Sequence, residues 1–212
     1  PPMDNDTRLV LTRSGQNPTA NQHNCSGKHT GMLAQARFLD LPISDYLNPE
    51  HAIQKQILQA FSEMCGMDPA EVILGTDGCS APNFAIPLRN VALGFARLCD
   101  PRDLSPKRAQ ACKIITNAMT HYPMMISGPG RFDTRLMEVT GGKIVVKGGA
   151  EGFLAMGIMA GVLQPDSPGI GITLKIADGD LKSRARPAVA LEILRQIGAI
   201  SPDELAELST FG

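Results

Sequence analysis

Hydrophobic positions recur along this chain with two different periods. Met32, Leu33, Ala36 and Leu39 fall on one face at helical spacing and predict a helix from about Thr30 to Leu39. Ile53, Ile57, Ala60, Phe61 and Met64 form a second stripe. Asn48 as cap, Pro49 at the first position and Glu50 in the first turn open that helix, and Gly66 closes it. Further helices are predicted over Pro87 to Leu98, from Ser105-Pro106 to about His121, and from Asp180 to Ile197, the last with Ala188, Leu191, Leu194 and Ile197 on one side. Ser201-Pro202-Asp203-Glu204 caps a short final helix.

Strand signals are shorter. Arg8 to Thr12 and Glu71 to Gly75 read as isolated strands. Lys143 to Lys147, Phe153 to Ala160 and Ile170 to Ala177 are β-like segments separated by Gly-rich turns, the spacing of an antiparallel meander. Helices first, three adjacent strands next and a helix last make an α+β fold, expected as one domain over residues 1–212, with an antiparallel sheet flanked by helices.

Composition narrows the function classes. Hydrophobic content of 43% and charged content of 19% are ordinary for a globular domain. A net charge of −1, no Trp and only two Tyr give no electrostatic footprint or stacking platform for nucleic acid. No apolar run reaches the roughly 18 residues that would span a bilayer. Five cysteines, odd in number and without a Cys-x-x-Cys pair, read as reduced thiols of a cytoplasmic protein.

Two loops concentrate the reactive side chains: Asn24-Cys25-Ser26-Gly27-Lys28-His29-Thr30-Gly31 and Thr76-Asp77-Gly78-Cys79-Ser80. Ser26-Gly27-Lys28 is not the end of a phosphate-binding loop, because Gln22 and His29 stand where that motif needs Gly and Ser or Thr. A Cys25 nucleophile stays open, with a helix N-terminus to lower its pKa and His23 and His29 as neighbours. A metal site also stays open: Cys25 and Cys79 supply two thiolates and Lys28 a third donor, a set suited to zinc with water in the remaining position. Lysine ligates only as the free amine, at a cost of about 4.6 kcal/mol at pH 7. That is less than the roughly 10–16 kcal/mol that structural zinc sites release.

Asn24 to Gly31, Thr76 to Pro82, Gly130-Arg131, Lys147 with Gly148-Gly149-Ala150, and Ile170 to Leu181 together resemble the bacterial L-asparaginase II family, of the inducible rhizobial type. The resemblance implies a fold similar to serine β-lactamases and glutaminases, and hydrolysis of L-asparagine to L-aspartate and ammonia. It implies zinc held by Cys25, Lys28 and Cys79, with Asp77 beside the metal. Lys147 is implied beside the catalytic serines, and Asp77, Ser26, His29 and Arg131 as substrate-binding residues. Asp133 occupies a position where some members carry cysteine. The family's nucleophile lies in a Ser-x-x-Lys motif, and none occurs in these 212 residues. The chain is therefore expected to be an interior portion, incomplete at its N-terminus and inactive alone. The alternative is a non-catalytic zinc-binding domain of the same fold, and a homodimer is left open as an assembly.

Plainer roles are expected elsewhere. Met124, Met125, Met156 and Met159 read as core filler, and Cys65, Cys99 and Cys112 as buried small hydrophobes. His51 and His121 read as surface or helix-end residues. Lys107-Arg108 and Lys182 to Arg186 read as solvated helix faces. Ser26 reads as a helix cap or a substrate contact, and His29 as a partner of a metal-bound water or of a backbone carbonyl. Asp178-Gly179-Asp180 reads as a turn into a capped helix.

Overall fold

A computed structural model describes residue 2 and residues 4–212, which divide into two compact units. The first comprises Pro1–Ser62 and Asp68–Ala85, the second Glu63–Met67 and Ile86–Gly212. The mixture of helices with small antiparallel sheets is an α+β architecture, as the hydrophobic pattern predicts. No helix among the described residues is long and apolar enough to cross a membrane.

In the first unit, α1 (Asn5–Arg13) replaces the strand expected over Arg8 to Thr12. Asp4 caps it, accepting from the Thr7 N–H at 2.8 Å, and this local bond outweighs the β-like Leu-Val-Leu run. Helix α2 (Ser26–Phe38) starts four residues before the predicted boundary. Helix α3 (Ala52–Cys65) starts later than the Asn48-Pro49 signal, because Asn48 Oδ1 accepts from Glu50 N–H in a preceding turn. His51 takes over the capping: its Nδ1 accepts from the Ile53 N–H at 3.1 Å, while Nε2 lies 2.9 Å from Pro42 O. His51 is thus a helix-end residue as expected, but a buried one. Met32 and Ala36 of α2 pack with Ile53 of α3 and Ala81 in this unit's core.

The strand predicted near Val72 is β1 (Ile73–Thr76), and it returns as β2 (Pro82–Ala85) in a two-stranded antiparallel ribbon, with Thr76 opposite Pro82. The return strand gives no sequence signal. It has four residues and opens on a proline, which cannot donate to a ladder.

The second unit is built on a three-stranded antiparallel sheet, β3 (Ile144–Gly148), β4 (Phe153–Ile158) and β5 (Ile170–Lys175), with β4 central. This is the predicted meander. Ile144 and Val146, with Leu154, Met156 and Ile158, point into the main hydrophobic core. Val145, Ala155 and Gly157 alternate with them and face the other way. There, α4 (Leu88–Cys99) lies on glycines. A Cβ on Gly157 would come within 2.4 Å of Cys99 Sγ, and one on Gly171 within 1.7 Å of Ala92 O. Both faces are covered, so the strands are buried almost without alternation.

Helix α5 (Pro106–His121) matches its prediction; α6 (Met124–Ser127) and α7 (Phe132–Val139) were not foreseen. Met156 is core, as expected, but Met124 and Met125 are exposed, Met125 to 83%, because the short α6 turns them outward. Helix α8 (Ala185–Gln196) begins five residues beyond Asp180, whose carboxylate accepts from the N–H groups of Arg184, Ala185 and Arg186. Helix α9 (Pro202–Glu207) carries the predicted capping box of Ser201 with Glu204. Lys143 at the start of β3 pairs with Glu204 at 2.6 Å.

In the two basic stretches Lys107, Lys182 and Arg184 are exposed as expected, but Arg108 and Arg186 are half-buried. Arg108 pairs with Glu63 at 2.8 Å, and Arg186 is drawn inward by the carbonyls of Gly149 and Phe153.

Candidate functional site

Cys25 stands at the entry to α2. Its own N–H donates to His23 Nδ1 at 3.1 Å, and the Ser26 N–H donates to the His23 carbonyl at 2.9 Å. His23 therefore fixes the turn that presents the Cys25 sulfur. Ser26 is the first helical residue and makes no capping bond through its hydroxyl. One turn on, Lys28 reaches out from the helix.

Asp77 and Cys79 come from the five-residue tip of the β1–β2 ribbon. The Asp77 N–H donates to Ala81 O at 2.8 Å and the Ser80 N–H to Asp77 O at 2.8 Å, closing the loop. Asp77 Oδ1 accepts from the Gly78 N–H, leaving Oδ2 to face the helix. Ser80 holds φ +69°, a left-handed conformation that a non-glycine residue adopts at a cost of about 1 kcal/mol or more.

These two segments meet in the first unit. Lys28 Nζ lies 2.8 Å from Asp77 Oδ2, and the Cys79 thiol donates to the same oxygen at 3.5 Å. One donor atom from each of Cys25, Asp77 and Cys79 lies within 4.8 Å of the other two. Tetrahedral zinc ligands stand roughly 3.3–3.8 Å apart. Two sulfurs and a carboxylate oxygen this close together are a donor set for a borderline-soft ion.

The electrostatics describe the state without an ion. The Lys28 ammonium and the Cys79 thiol hold the Asp77 carboxyl below the usual carboxylate range, the lysine contributing most and burial opposing it. Burial alone would lower the Lys28 amine, but the hydrogen bonds and charges of Asp77 and Cys79 outweigh it and raise its pKa. In this arrangement Lys28 is an ammonium paired with Asp77, so it joins a ligand set only after giving up a proton. Burial pushes the Cys25 thiol up, and the adjacent Cys79 pushes it further. An activated nucleophile needs the opposite shift. Neither neighbouring imidazole engages the Cys25 sulfur: His23 accepts from its backbone, and His29 Nδ1 lies 2.6 Å from Tyr46 Oη.

Next to Cys79 is a cavity of about 540 Å³ whose walls include Ser26, His29, Tyr46 and Ser80. Through Nδ1, His29 thus engages the Tyr46 hydroxyl and not a backbone carbonyl. Its ring is held edge-on against Tyr46, 5.8 Å between centroids. Sequence reading missed Tyr46, because nothing in a lone tyrosine in a polar loop marks it; it singled out His23 as a neighbour of the Cys25 thiol, whereas the His23 ring accepts from the Cys25 backbone.

In the second unit, Lys147 lies on β3 opposite Ala155, its side chain exposed and its Nζ donating to Gly148 O at 2.5 Å. Arg131 is the exposed residue before α7, and no hydrogen bond or ion pair joins it to Lys147 among the described residues. The structure thus brings together Cys25, Lys28, Asp77 and Cys79, places Ser26 and His29 on the adjoining cavity, and sets Lys147 at the end of a buried strand.

Cys65, Cys99 and Cys112 are buried as expected. Burial pushes Cys65 up to about 11 and Cys99 up to about 12, leaving both inert. Reactive chemistry among the cysteines therefore falls to Cys25 and Cys79.

Comparison with curated proteins finds no match. The family model for L-asparaginase II, by contrast, aligns with residues 1–212, so it takes in the helix entry at Cys25, the ribbon tip and the Lys147 strand alike, and the chain belongs to the L-asparaginase II family, a family of asparaginase-type amidohydrolases.

Proposed function

We propose that this chain serves the hydrolysis of L-asparagine to L-aspartate and ammonia by serine acyl transfer, beside a zinc ion held by Cys25, Lys28 and Cys79. Membership of the L-asparaginase II family supports the reaction. The observation that carries the site is the convergence of Cys25, Lys28, Asp77 and Cys79 from two segments far apart in sequence. Zinc, when bound, supplies a Lewis acid and a fixed positive charge.

The chain's own groups divide the remaining work. Asp77 carries a carboxylate well suited to hold the α-ammonium of an amino acid, and it is already engaged with one ammonium, that of Lys28. The cavity beside Cys79 offers Ser26 and His29 as polar contacts to the substrate. Lys147 is the proton-handling group, an amine at a strand end where proton transfer to a leaving ammonia needs a positioned partner.

A second reading is a zinc-binding domain of this fold without turnover. It is favoured by the absence of any Ser-x-x-Lys among the 212 residues. Ammonia release from asparagine by the purified protein, measured with metal content by elemental analysis, separates the readings. Turnover together with about one zinc per chain, lost in Cys25→Ser, supports the first. Zinc without turnover fits the second, and fits the first where the nucleophile is supplied by a segment outside these residues. A folded, metal-free protein that takes up no zinc on titration overturns the ligand assignment in both.

A further inference from the structure

Asp133 is the one Asp or Glu buried among the described residues, 4% exposed in the first turn of α7. A buried carboxylate persists only where hydrogen bonds replace its water. Its Oδ2 accepts from the N–H of Gly148 at 2.7 Å, the residue directly after Lys147. Gly148 packs closely here: a Cβ there would sit 3.2 and 3.3 Å from the Asp133 oxygens and 3.4 Å from Arg186 Nη1, so those side chains would have to give by a few tenths of an ångström.

The next residue is held from the other side. Arg186 of α8 donates through Nη1 to Gly149 O at 2.8 Å and to Phe153 O at 3.1 Å, and the Gly149 N–H donates to Phe153 O at 2.9 Å. The backbone just beyond Lys147 is therefore tied to two helices and the next strand, whereas the Lys147 side chain is exposed. A hairpin needs no such anchorage, since the β3–β4 ladder already pairs Gly148 with Leu154.

We propose that Asp133 is a positioning residue for Lys147. Its carboxylate fixes the Gly148 amide, with Arg186 fixing Gly149, and so sets the direction in which the Lys147 amine leaves the strand. This rests on the reading of Lys147 as the proton-handling group. Asparagine retains an acceptor for the Gly148 N–H at the same place and alanine does not, so the two substitutions separate a positioning bond from simple filling of space.

The test compares Asp133→Asn, Asp133→Ala, Lys147→Met and the unchanged protein, with Leu136→Val as a control for core destabilisation. Amide hydrogen exchange at Gly148, acetylation of Lys147 by acetic anhydride, and kcat and KM for asparagine are read on each. Asp133→Ala is expected to speed Gly148 exchange at least tenfold, to change the acetylation rate of Lys147, and to lower kcat about tenfold with KM within twofold. Asp133→Asn is expected to restore most of all three, and Leu136→Val to move none of them selectively. Unchanged Gly148 exchange in a folded Asp133→Ala protein, or an equal effect from Leu136→Val, overturns the proposal. Full turnover by Lys147→Met overturns the role of Lys147 instead. Should the unchanged protein release no ammonia, the exchange and acetylation results decide Asp133 by themselves.

Discussion

Lys28 Nζ donates to Asp77 Oδ2 at 2.8 Å, bridging 49 positions of sequence to join the first turn of α2 to the tip of the β1–β2 ribbon. Both side chains keep more than a third of their surface in water, so the pair contributes about 0–1 kcal/mol.

The pair has a pH signature. Asp77 ionises at lower pH in the folded chain than in the unfolded one, so its contribution is present above the ordinary carboxylate range and is lost as pH falls through the lowered value. Lys28 is shifted upward, so its share is present below the ordinary lysine value and is lost only as pH rises beyond it. Asp77→Asn should therefore lower stability by up to about 1 kcal/mol between pH 6 and 9, and variant and parent should converge as pH falls through the lowered Asp77 value. Thermal melts of chelator-treated protein across that range check this. A gap that stays constant through the acid range would show that charge is not its source.

Thiol accessibility should sort the five cysteines into two groups. Ellman's reagent at pH 8 is expected to titrate Cys25 and Cys79 in the folded protein and all five after denaturation, because Cys65, Cys99 and Cys112 are buried. Added zinc should suppress the two native reactions. Rapid native labelling of a third thiol would contradict the packing of α3, α4 or α5.

Gly171 is the position least able to accept a side chain. An added Cβ would overlap the Ala92 carbonyl oxygen at 1.7 Å, and the atoms it would meet are all backbone. Gly171→Ala should cost about 3 kcal/mol or prevent folding, since α4 would have to lift off the sheet. Equilibrium urea unfolding measures this, and a loss below about 0.5 kcal/mol would mean that α4 does not sit as described.

At the C-terminal end, Ser201→Ala should cost about 1 kcal/mol by removing the acceptor for the Glu204 N–H. Lys143→Met should cost less, because it leaves the capping box intact. Urea midpoints of the two variants give the comparison, and a larger loss for Lys143→Met would reverse the assignment.

How much of this could be read beforehand depended on whether the signal was local. The box at Ser201, the Ser105-Pro106 helix start and the three meander strands are fixed by their own residues and appeared as predicted. Arg8 to Thr12 went wrong because its apolar run outweighed a cap four residues upstream. Helix α7 has no side-chain cap, so nothing announced it. At the site, spacing alone left both a nucleophile and a metal ligand open for Cys25. Resemblance joined Cys25, Lys28 and Cys79, but it did not foretell that Lys28 would pair with Asp77, or that Asp133 would be buried against Gly148. Those are tertiary relationships between segments with no periodicity in common.

The ribbon that carries Asp77 and Cys79 has two strands of four residues, with β1 exposed along its whole length. Hairpins of this kind are marginal by themselves. An ion shared by Cys25 and Cys79 would close a loop of more than fifty residues, restricting the open chain as a cross-link does. Opening of the ribbon and departure of the ion then become a single equilibrium. Protection of the Ile73–Ala85 amides would rise with the logarithm of free ion concentration. By the same reciprocity, a change that frays the ribbon far from either sulfur would weaken ion affinity by an equal factor.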